Sequence, residues 1–497
     1  MPDEFKEAHV TPLYKSKGSM LDKNNYRGIS TLPPIGKIFE KLLATQITIY
    51  FNVNKLFFTG QHGFRNNHSC ETALHELISY LNEARNKKLI ALLLFIDFRK
   101  AFDLVDSDLL INKLFHYGFN NDALDLLKNY FTNRLQSVKI NGTLSDKLMS
   151  ILGVPQGSIL GPLLFLIFIN DLPFLLELAG LYCKLFADDS TLIETSTQFD
   201  NLLSKFNDKI KILLNWCEFS KVDINWDKTF IMIVTNRRLK IPKSIDFNDI
   251  HVKIVDRFKL LGVTIDSKLN FEAYSSILKR NVSYKLHSIK RLFYLSASVK
   301  LQFFKTFIMP YFDYCSSLTI YFPKATIQKI CNFYNYCLNK LLKIDIKVRD
   351  YKYSNNTEQI KLDSKCLLNT TLEEIGLKNY EHRLIVKLST FIFKIRNEVN
   401  APSLLKDMIK KNNEFNNGNT RILRNNNNFK QTIQLNNHYG EATFTYFFTN
   451  FINNIILNDL NCNFKLFTSR IMTNVNLLFQ KFIKNFYKFN LISNFKT

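Results

Sequence analysis

The stretch Leu181–Thr195, LYCKLFADDSTLIET, decides how this chain is read. Leu181, Cys183 and Leu185 alternate with Tyr182, Lys184 and Phe186, and Thr191, Leu192 and Ile193 supply a returning segment, so the spacing predicts a β-hairpin. Asp188 and Asp189 then stand at its tip. Adjacent carboxylates repel, and an apolar setting sharpens the repulsion unless something positive lies between them. A lone acid pair at a turn is more often a solvated turn, so its neighbours must decide whether this one does chemistry.

The second acid comes from KKLIALLLFIDF (87–98), a continuous apolar run that suits a central strand buried on both faces and leaves Asp97 at its end. If the hairpin pairs beside that strand, Asp97, Asp188 and Asp189 meet at one edge of a sheet, a cluster made tolerable only by bound cations. Hard divalent ions such as Mg²⁺ take one or two carboxylates plus phosphate oxygens and water, and two of them roughly 3.5–4 Å apart clamp an in-line phosphoryl displacement.

The flanking sequence predicts an α+β sheet covered by helices. PPIGKIFEKLLATQITIY (33–50) carries Ile35, Ile38, Phe39 and Leu42 at helical spacing behind two prolines, and a second helix covers 71–86. Ser107 is placed to cap a helix reaching Gly118, and Asn121 opens another to about Tyr130. Asn141-Gly142 in SVKINGTLSDKL is a two-residue hairpin signal. From about 268 to 345 the pattern turns helical, and the asparagine-rich KNNEFNNGNT and RNNNNFKQ mark a linker near 411–437.

Composition narrows the function. With 497 residues and 46% apolar content, a wholly disordered chain is excluded and two or three packed units are expected. The excess of 66 Lys+Arg over 43 Asp+Glu gives a formal charge of +23, which points to a polyanionic partner, nucleic acid first, although a generically basic protein has the same composition. The 8 cysteines form no C-x-x-C pair, so they read as reduced thiols rather than a zinc module or a disulfide framework. MPDEFKEAHV lacks the apolar core of a secretory signal, which predicts an intracellular, non-secreted protein. LLFLIFI (163–169) meets Asn170, Asp171 and Pro173 well before the ~20 residues needed to span a bilayer, so it reads as a buried helix and no membrane is expected as a partner.

Three blocks together, FIDFRKAFDLVD (95–106), GVPQGSILGPLLFLIFINDLP (153–173) and FADDS (186–190), resemble the reverse transcriptases of non-LTR retrotransposons of the jockey type. EFKEAHVTPLYK (4–15), NYRGIS (25–30), QHGFR (61–65), NWDKT (225–229) and FKLLGVTID (258–266) follow in the family's order. The likeness is dense through about residue 270 and weaker to about 345. An intron-encoded or retron polymerase is the rival lineage, against which the FADDS and INDLP wording argues.

The resemblance implies a right-hand polymerase of fingers, palm and thumb, with an antiparallel palm sheet covered by helices and a mostly helical C-terminal region. Residues 1–270 would form fingers and palm, 271–345 a thumb-like region, and 346–497 a region of unassigned role. It implies RNA-directed DNA synthesis on an RNA template, from a DNA or RNA primer with a 3′-hydroxyl and dNTPs, with two Mg²⁺ ions or Mn²⁺ as the alternative. It also implies a nuclear or cytoplasmic ribonucleoprotein setting, and an upstream endonuclease that is not read in this chain. A catalytically silent relic that only binds RNA or DNA is the alternative, and oligomeric state is left open.

On this resemblance Asp97, Asp188 and Asp189 match the catalytic, metal-binding aspartates, with one ion acidifying the primer hydroxyl and the other neutralising the leaving pyrophosphate. Lys228 matches a lysine that protonates pyrophosphate. Phe102 matches the bulky residue that leaves no room for a 2′-hydroxyl, against the alternative of a core phenylalanine. Gln156 and Gly157 match positions along the incoming nucleotide, and Ser158 is placed to cap the following helix, whereas Pro155 and Gly161 read as structural. Arg27 and Arg65 are candidates for gripping triphosphate or template. Asp103 and Asp106 read as turn or helix-start acids, and Gly28 stands where the family usually has proline, which loosens that loop. A helical wheel over 279–295 sets Val282, Leu286, Ile289 and Phe293 opposite Arg280, Tyr284, His287 and Arg291, either a thumb stripe following template and primer or an ordinary solvated face. FKLLGVTID would be the hairpin under the primer end.

Overall fold

The computed structural model of the chain describes residues 1–16, 18–247, 250–290, 294–342, 372–409, 443–456, 460 and 462–486. It divides into two compact units, one of Met1–His68, Leu92–Ile231 and Lys240–Ile254, the other of Ser69–Ala91, Met232–Leu239 and Val255–Thr497. The units interleave along the chain. The asparagine-rich stretch 411–437 lies outside the described residues, as does Cys366.

β3 (Ile90–Ile96) buries all of its residues, as an uninterrupted apolar strand must when both faces of its sheet are covered. Its sheet runs in the order β10 (Ser244–Phe247), β11 (Ile250–Ile254), β9 (Phe230–Val234), β3, β8 (Asp189–Ser196), β7 (Tyr182–Phe186). β7 and β8 form the expected hairpin, in antiparallel register from Tyr182↔Ile193 to Phe186↔Asp189. The last pair moves one acid off the tip: the turn is Ala187-Asp188, and Asp189 begins β8. β11 and β9 pair in parallel, so this sheet is mixed rather than wholly antiparallel.

A second sheet runs β2 (Tyr26–Thr31), β1 (Ala8–Tyr14), β4 (Leu135–Ile140), β5 (Thr143–Leu144), with β6 (Leu148–Met149) also on β4. β1 and β2 are antiparallel, β1 and β4 parallel, and Asn141-Gly142 links β4 to β5 as predicted. Gly28 lies in β2 opposite Pro12, where a Cβ would meet Val10 Cγ1 at 2.9 Å. The NYRGIS segment is therefore paired strand rather than a loosened loop.

α1 (Pro34–Val53) forms where the prolines and spacing place it, but it turns its apolar stripe outward. Ile35, Ile38 and Leu42 are 60%, 63% and 61% exposed, while Gly36, Glu40, Ile47 and Phe51 face inward. Glu40 sets this rotation: one carboxylate oxygen accepts from the Tyr130 hydroxyl at 2.9 Å and the other from the Ile159 amide at 2.7 Å. Tyr130 belongs to α4 (Asn121–Phe131), so one buried acid ties two helices to the loop that follows GVPQGS. α3 (Ser107–His116) starts one residue earlier than Ser107 suggests, because the Asp106 carboxylate accepts the amides of Asp108 and Leu109 and is itself the cap. α5 (Gly161–Ile169) is buried almost all round, as its sequence requires. Gly161–Leu178, which includes α6 (Asp171–Leu178), is apolar and long enough to cross a membrane by composition, yet most of it is packed inside the protein. α7 (Phe199–Phe219) packs on β8 and α6.

In the second unit α2 (Cys70–Asn86) opens with a capping box between Ser69 and Thr72. β12 (Arg257–Leu260) and β13 (Val263–Asp266) form the hairpin read from FKLLGVTID, followed by α8 (Glu272–Lys290) and further helices that include Lys324–Leu342 and Tyr380–Asn397. At the heart of this unit His75 is 0% exposed, stacked on Phe391 and touching Phe444 and Phe448. Its Nε2 lies 2.6 Å from Ser317 Oγ, which itself donates to Glu71 at 2.5 Å, so the network assigns the ring proton to Nε2. Nδ1 lies 2.9 Å from the Tyr321 hydroxyl, which also reaches the His75 carbonyl at 3.2 Å, and burial holds the imidazole neutral, its pKa pushed down to about 3.

Two outcomes follow from these buried polar groups. Glu40→Ala strips the Tyr130 hydroxyl and the Ile159 amide of their acceptor and is expected to lower stability by about 3 kcal/mol, read from the urea midpoint, with Tyr130→Phe costing about 1 kcal/mol. The folded pKa of His75 lies below its ordinary 6.5, so its contribution is complete above pH 6.5 and is lost as pH falls toward 3. At pH 5 the loss is about 2 kcal/mol, and His75→Gln should remove that pH-dependent part from the urea midpoints at pH 7 and 5.

Candidate active site

Asp97 is the first residue beyond β3, and a short antiparallel contact fixes it there. Phe98 bridges Ile224, Arg99 donates to the Asp223 carbonyl at 2.8 Å, and Asn225 donates to the Asp97 carbonyl at 2.7 Å. The Asn225 side chain then donates to Asp97 Oδ2 at 3.0 Å, and Lys228 Nζ stands 3.6 Å from the same oxygen. The NWDKT block thus supplies both polar partners of this carboxylate. Asn225 was not singled out in the sequence, where attention went to the lysine.

Since β8 lies next to β3, the start of β8 and the turn before it bring the other two acids to Asp97. Removal from water raises the Asp188 pKa, the Asp97 charge raises it further, and Arg27 acts against both. Asp189 is pushed up to about 6, first by removal from water and then by the charges of Asp188 and Asp97. The three carboxylates therefore form one electrostatic cluster with more negative charge than its surroundings offset. Arg27, exposed on β2, is the cation whose field reaches Asp188.

Among the described residues no three or more acidic, histidine or cysteine side chains stand grouped so as to hold a metal ion by themselves. The acids are an open, all-oxygen set with uncompensated charge. That chemistry fits Mg²⁺, which keeps several waters and substrate oxygens rather than filling its sphere from protein.

The GVPQGS loop is held on two sides. The Gly153 amide donates to the Val105 carbonyl and the Val154 amide to the Phe102 carbonyl, both at 2.9 Å, while the Ser30 amide of β2 donates to the Gln156 carbonyl at 2.7 Å. Gly157 adopts φ +118°, and a Cβ there would meet the Ser30 carbonyl oxygen at 2.4 Å, so only glycine fits. Gln156 Nε2 donates to Asp103 Oδ1 at 2.9 Å, which gives Asp103 a role that its reading as a turn acid missed. Ser158 Oγ accepts the Gly161 amide at 2.8 Å, just ahead of α5. Phe102 is half-buried, stacked on Phe165 at 4.3 Å between ring centroids and set edge-on to Phe64 at 6.3 Å.

Arg65 donates to the carbonyls of Phe58 and Gln61 and lies over the Phe57 ring, so its guanidinium is engaged in its own loop. Arg280, Tyr284 and His287 are exposed on α8, opposite the buried Val282, Leu286 and Ile289. Arg291 lies outside the described residues. These belong to the second unit.

Two-metal phosphoryl transfer uses open carboxylate sets of this kind. Within that class the chain belongs to the reverse transcriptase (RNA-dependent DNA polymerase) family, whose pattern matches residues 15–265, half of the chain. It is 26% identical over 338 residues to the RNA-directed DNA polymerase from mobile element jockey of Drosophila melanogaster, covering 66% of this chain and 37% of that protein. The Drosophila funebris polymerase of the same name is 26% identical over 387 residues, covering 76% of this chain and 41% of the relative. The chain thus spans about two fifths of the length of these curated relatives. Among solved structures, a telomerase from Candida tropicalis with a TWJ fragment of telomeric RNA aligns at TM-score 0.40 and 14% identity, over 82% of this chain and 64% of that one.

Proposed function

We propose that this chain extends a primer 3′-hydroxyl with deoxynucleotides along an RNA template, as the polymerase of a non-LTR retrotransposon. The observation that carries the reading is the convergence of Asp97, Asp188 and Asp189, each felt electrostatically by its neighbours, from segments remote in sequence. Names of the jockey relatives support the template assignment, which the chemistry of the acids leaves open.

Asp97, Asp188 and Asp189 would hold two Mg²⁺ ions, which supply Lewis acidity toward the attacking hydroxyl and the leaving phosphate. Arg27 draws the triphosphate toward the acids by charge. Gln156, anchored through Asp103 and the Ser30 amide, lies along the nucleotide, and Gly157 lets the sugar or base approach backbone. Phe102, backed by Phe165, excludes a 2′-hydroxyl. Lys228 holds a proton beside Asp97 and passes it to the departing pyrophosphate. Residues 271–345, with Arg280, Tyr284 and His287, would follow the backbone of template and primer as a thumb.

Purified chain on poly(rA)/oligo(dT) with Mg²⁺ tests the reading. Extension with dTTP is expected, lost on chelation and reduced roughly a thousandfold by Asp188→Asn. A chain that binds the hybrid and extends nothing in either version would be the silent relic instead. Phe102→Val is expected to raise the use of UTP relative to dTTP by about 10- to 100-fold in the same assay.

A further inference from the structure

The QHGFR block does more than carry an arginine. Residues 60–63 lie along β7, the edge strand of the six-stranded sheet, where Gln61 makes a parallel bridge with Leu185. The Leu185 amide donates to the Gly60 carbonyl at 3.0 Å and the His62 amide to the Leu185 carbonyl at 2.9 Å. From this seat the Gln61 side chain reaches the acid turn. Its Oε1 accepts from the Ala187 amide at 2.9 Å and from the Gly63 amide at 2.8 Å, and its Nε2 donates to the Ala187 carbonyl at 3.5 Å. Gly63 packs so closely that a Cβ would meet the Ala187 nitrogen at 2.3 Å.

Ala187 is held at φ +58°, a left-handed conformation that a residue with a Cβ adopts only when its surroundings impose it. The next residue is Asp188. Gln61 is 3% exposed, which leaves no face for substrate.

We infer that Gln61 is a positioning residue for catalysis: it holds Ala187 by both its amide and its carbonyl, imposes the left-handed turn and so aims Asp188 at Asp97. The inference rests on the polymerase reading and adds to it a residue that never meets nucleotide, metal or template.

Primer extension by the full chain on poly(rA)/oligo(dT) with Mg²⁺ and dTTP tests it, comparing wild type, Gln61→Met, Ala187→Gly and the double variant. Methionine keeps the volume and loses every hydrogen bond. Gln61→Met should lower kcat roughly 30-fold while KM for dTTP stays within about threefold and hybrid binding is retained, because the error lies in aim rather than affinity. Adding Ala187→Gly should recover about fivefold of that loss, since glycine takes a positive φ without being held there. A general loss of folding would not be repaired at this one position.

Gln61→Met with kcat within about twofold of wild type, or a double variant no better than Gln61→Met, overturns the inference while wild-type extension leaves the polymerase reading standing. A wild-type chain that extends nothing removes both. If Gln61→Met does not fold, Gln61→Glu takes its place: it keeps the accepting oxygen, and kcat within about tenfold of wild type is expected, a fall to the level of Asp188→Asn overturning the inference.

Discussion

Repulsion among three carboxylates is the constraint around which the first unit is arranged. Left free, Asp97, Asp188 and Asp189 would turn away from one another into water, so their convergence has to be imposed by something stiffer than the side chains. β3 provides one rigid post, with every residue buried and its direction fixed by the strands on either side. The β7–β8 hairpin provides the other, and its turn is pinned from outside the sheet by residues 60–63. Loss of water around the acids and the charge of their neighbours raise the pKa values of Asp188 and Asp189.

Hydrogen-bonded loops carry this rigidity outward. Segment 223–229 holds Asp97 through backbone and side chain together. The GVPQGS loop is wedged between the chain after β3 and strand β2, and the same β2 presents Arg27 to Asp188. Glu40 extends the scaffold to α1 and α4 by binding the Ile159 amide. Little of this framework consists of ion pairs at the surface. Its buried members, the Glu40 and Gln61 side chains, accept from backbone amides and keep their strength because water does not compete for them.

How much of this was legible in the sequence depends on whether a signal was local. The unbroken run ending in Asp97, the alternation around FADDS, the Asn-Gly turn and the all-apolar α5 each follow from a few consecutive residues and are found where they were expected. The face of α1 was not legible, because a single buried carboxylate with two donors outweighs three exposed aliphatic side chains, and those donors sit far along the chain at Tyr130 and Ile159. Asp106 rather than Ser107 caps α3 since an ionised carboxylate accepts two amides at once. The ties of Gln61, Asn225 and Asp103 were invisible for one shared reason: each is made with a partner remote in sequence and brought near only by the fold. Arg65, a cation read for ligand binding, donates from one guanidinium nitrogen to two carbonyls of its own loop, a tie that no local sequence signal announces.

The ring stack of Phe102 on Phe165 ties two things usually kept apart. Phe165 is a core residue of α5, 2% exposed, under ordinary pressure to fill space. Under the role proposed for Phe102, Phe165 is the backstop that keeps its ring from retreating, so thinning the core at that point would admit a bulkier sugar without altering any group that faces it. On that proposal, drift in the hydrophobic interior would leak into the choice between ribose and deoxyribose, and selectivity would rest in part on a residue that looks like mere filling.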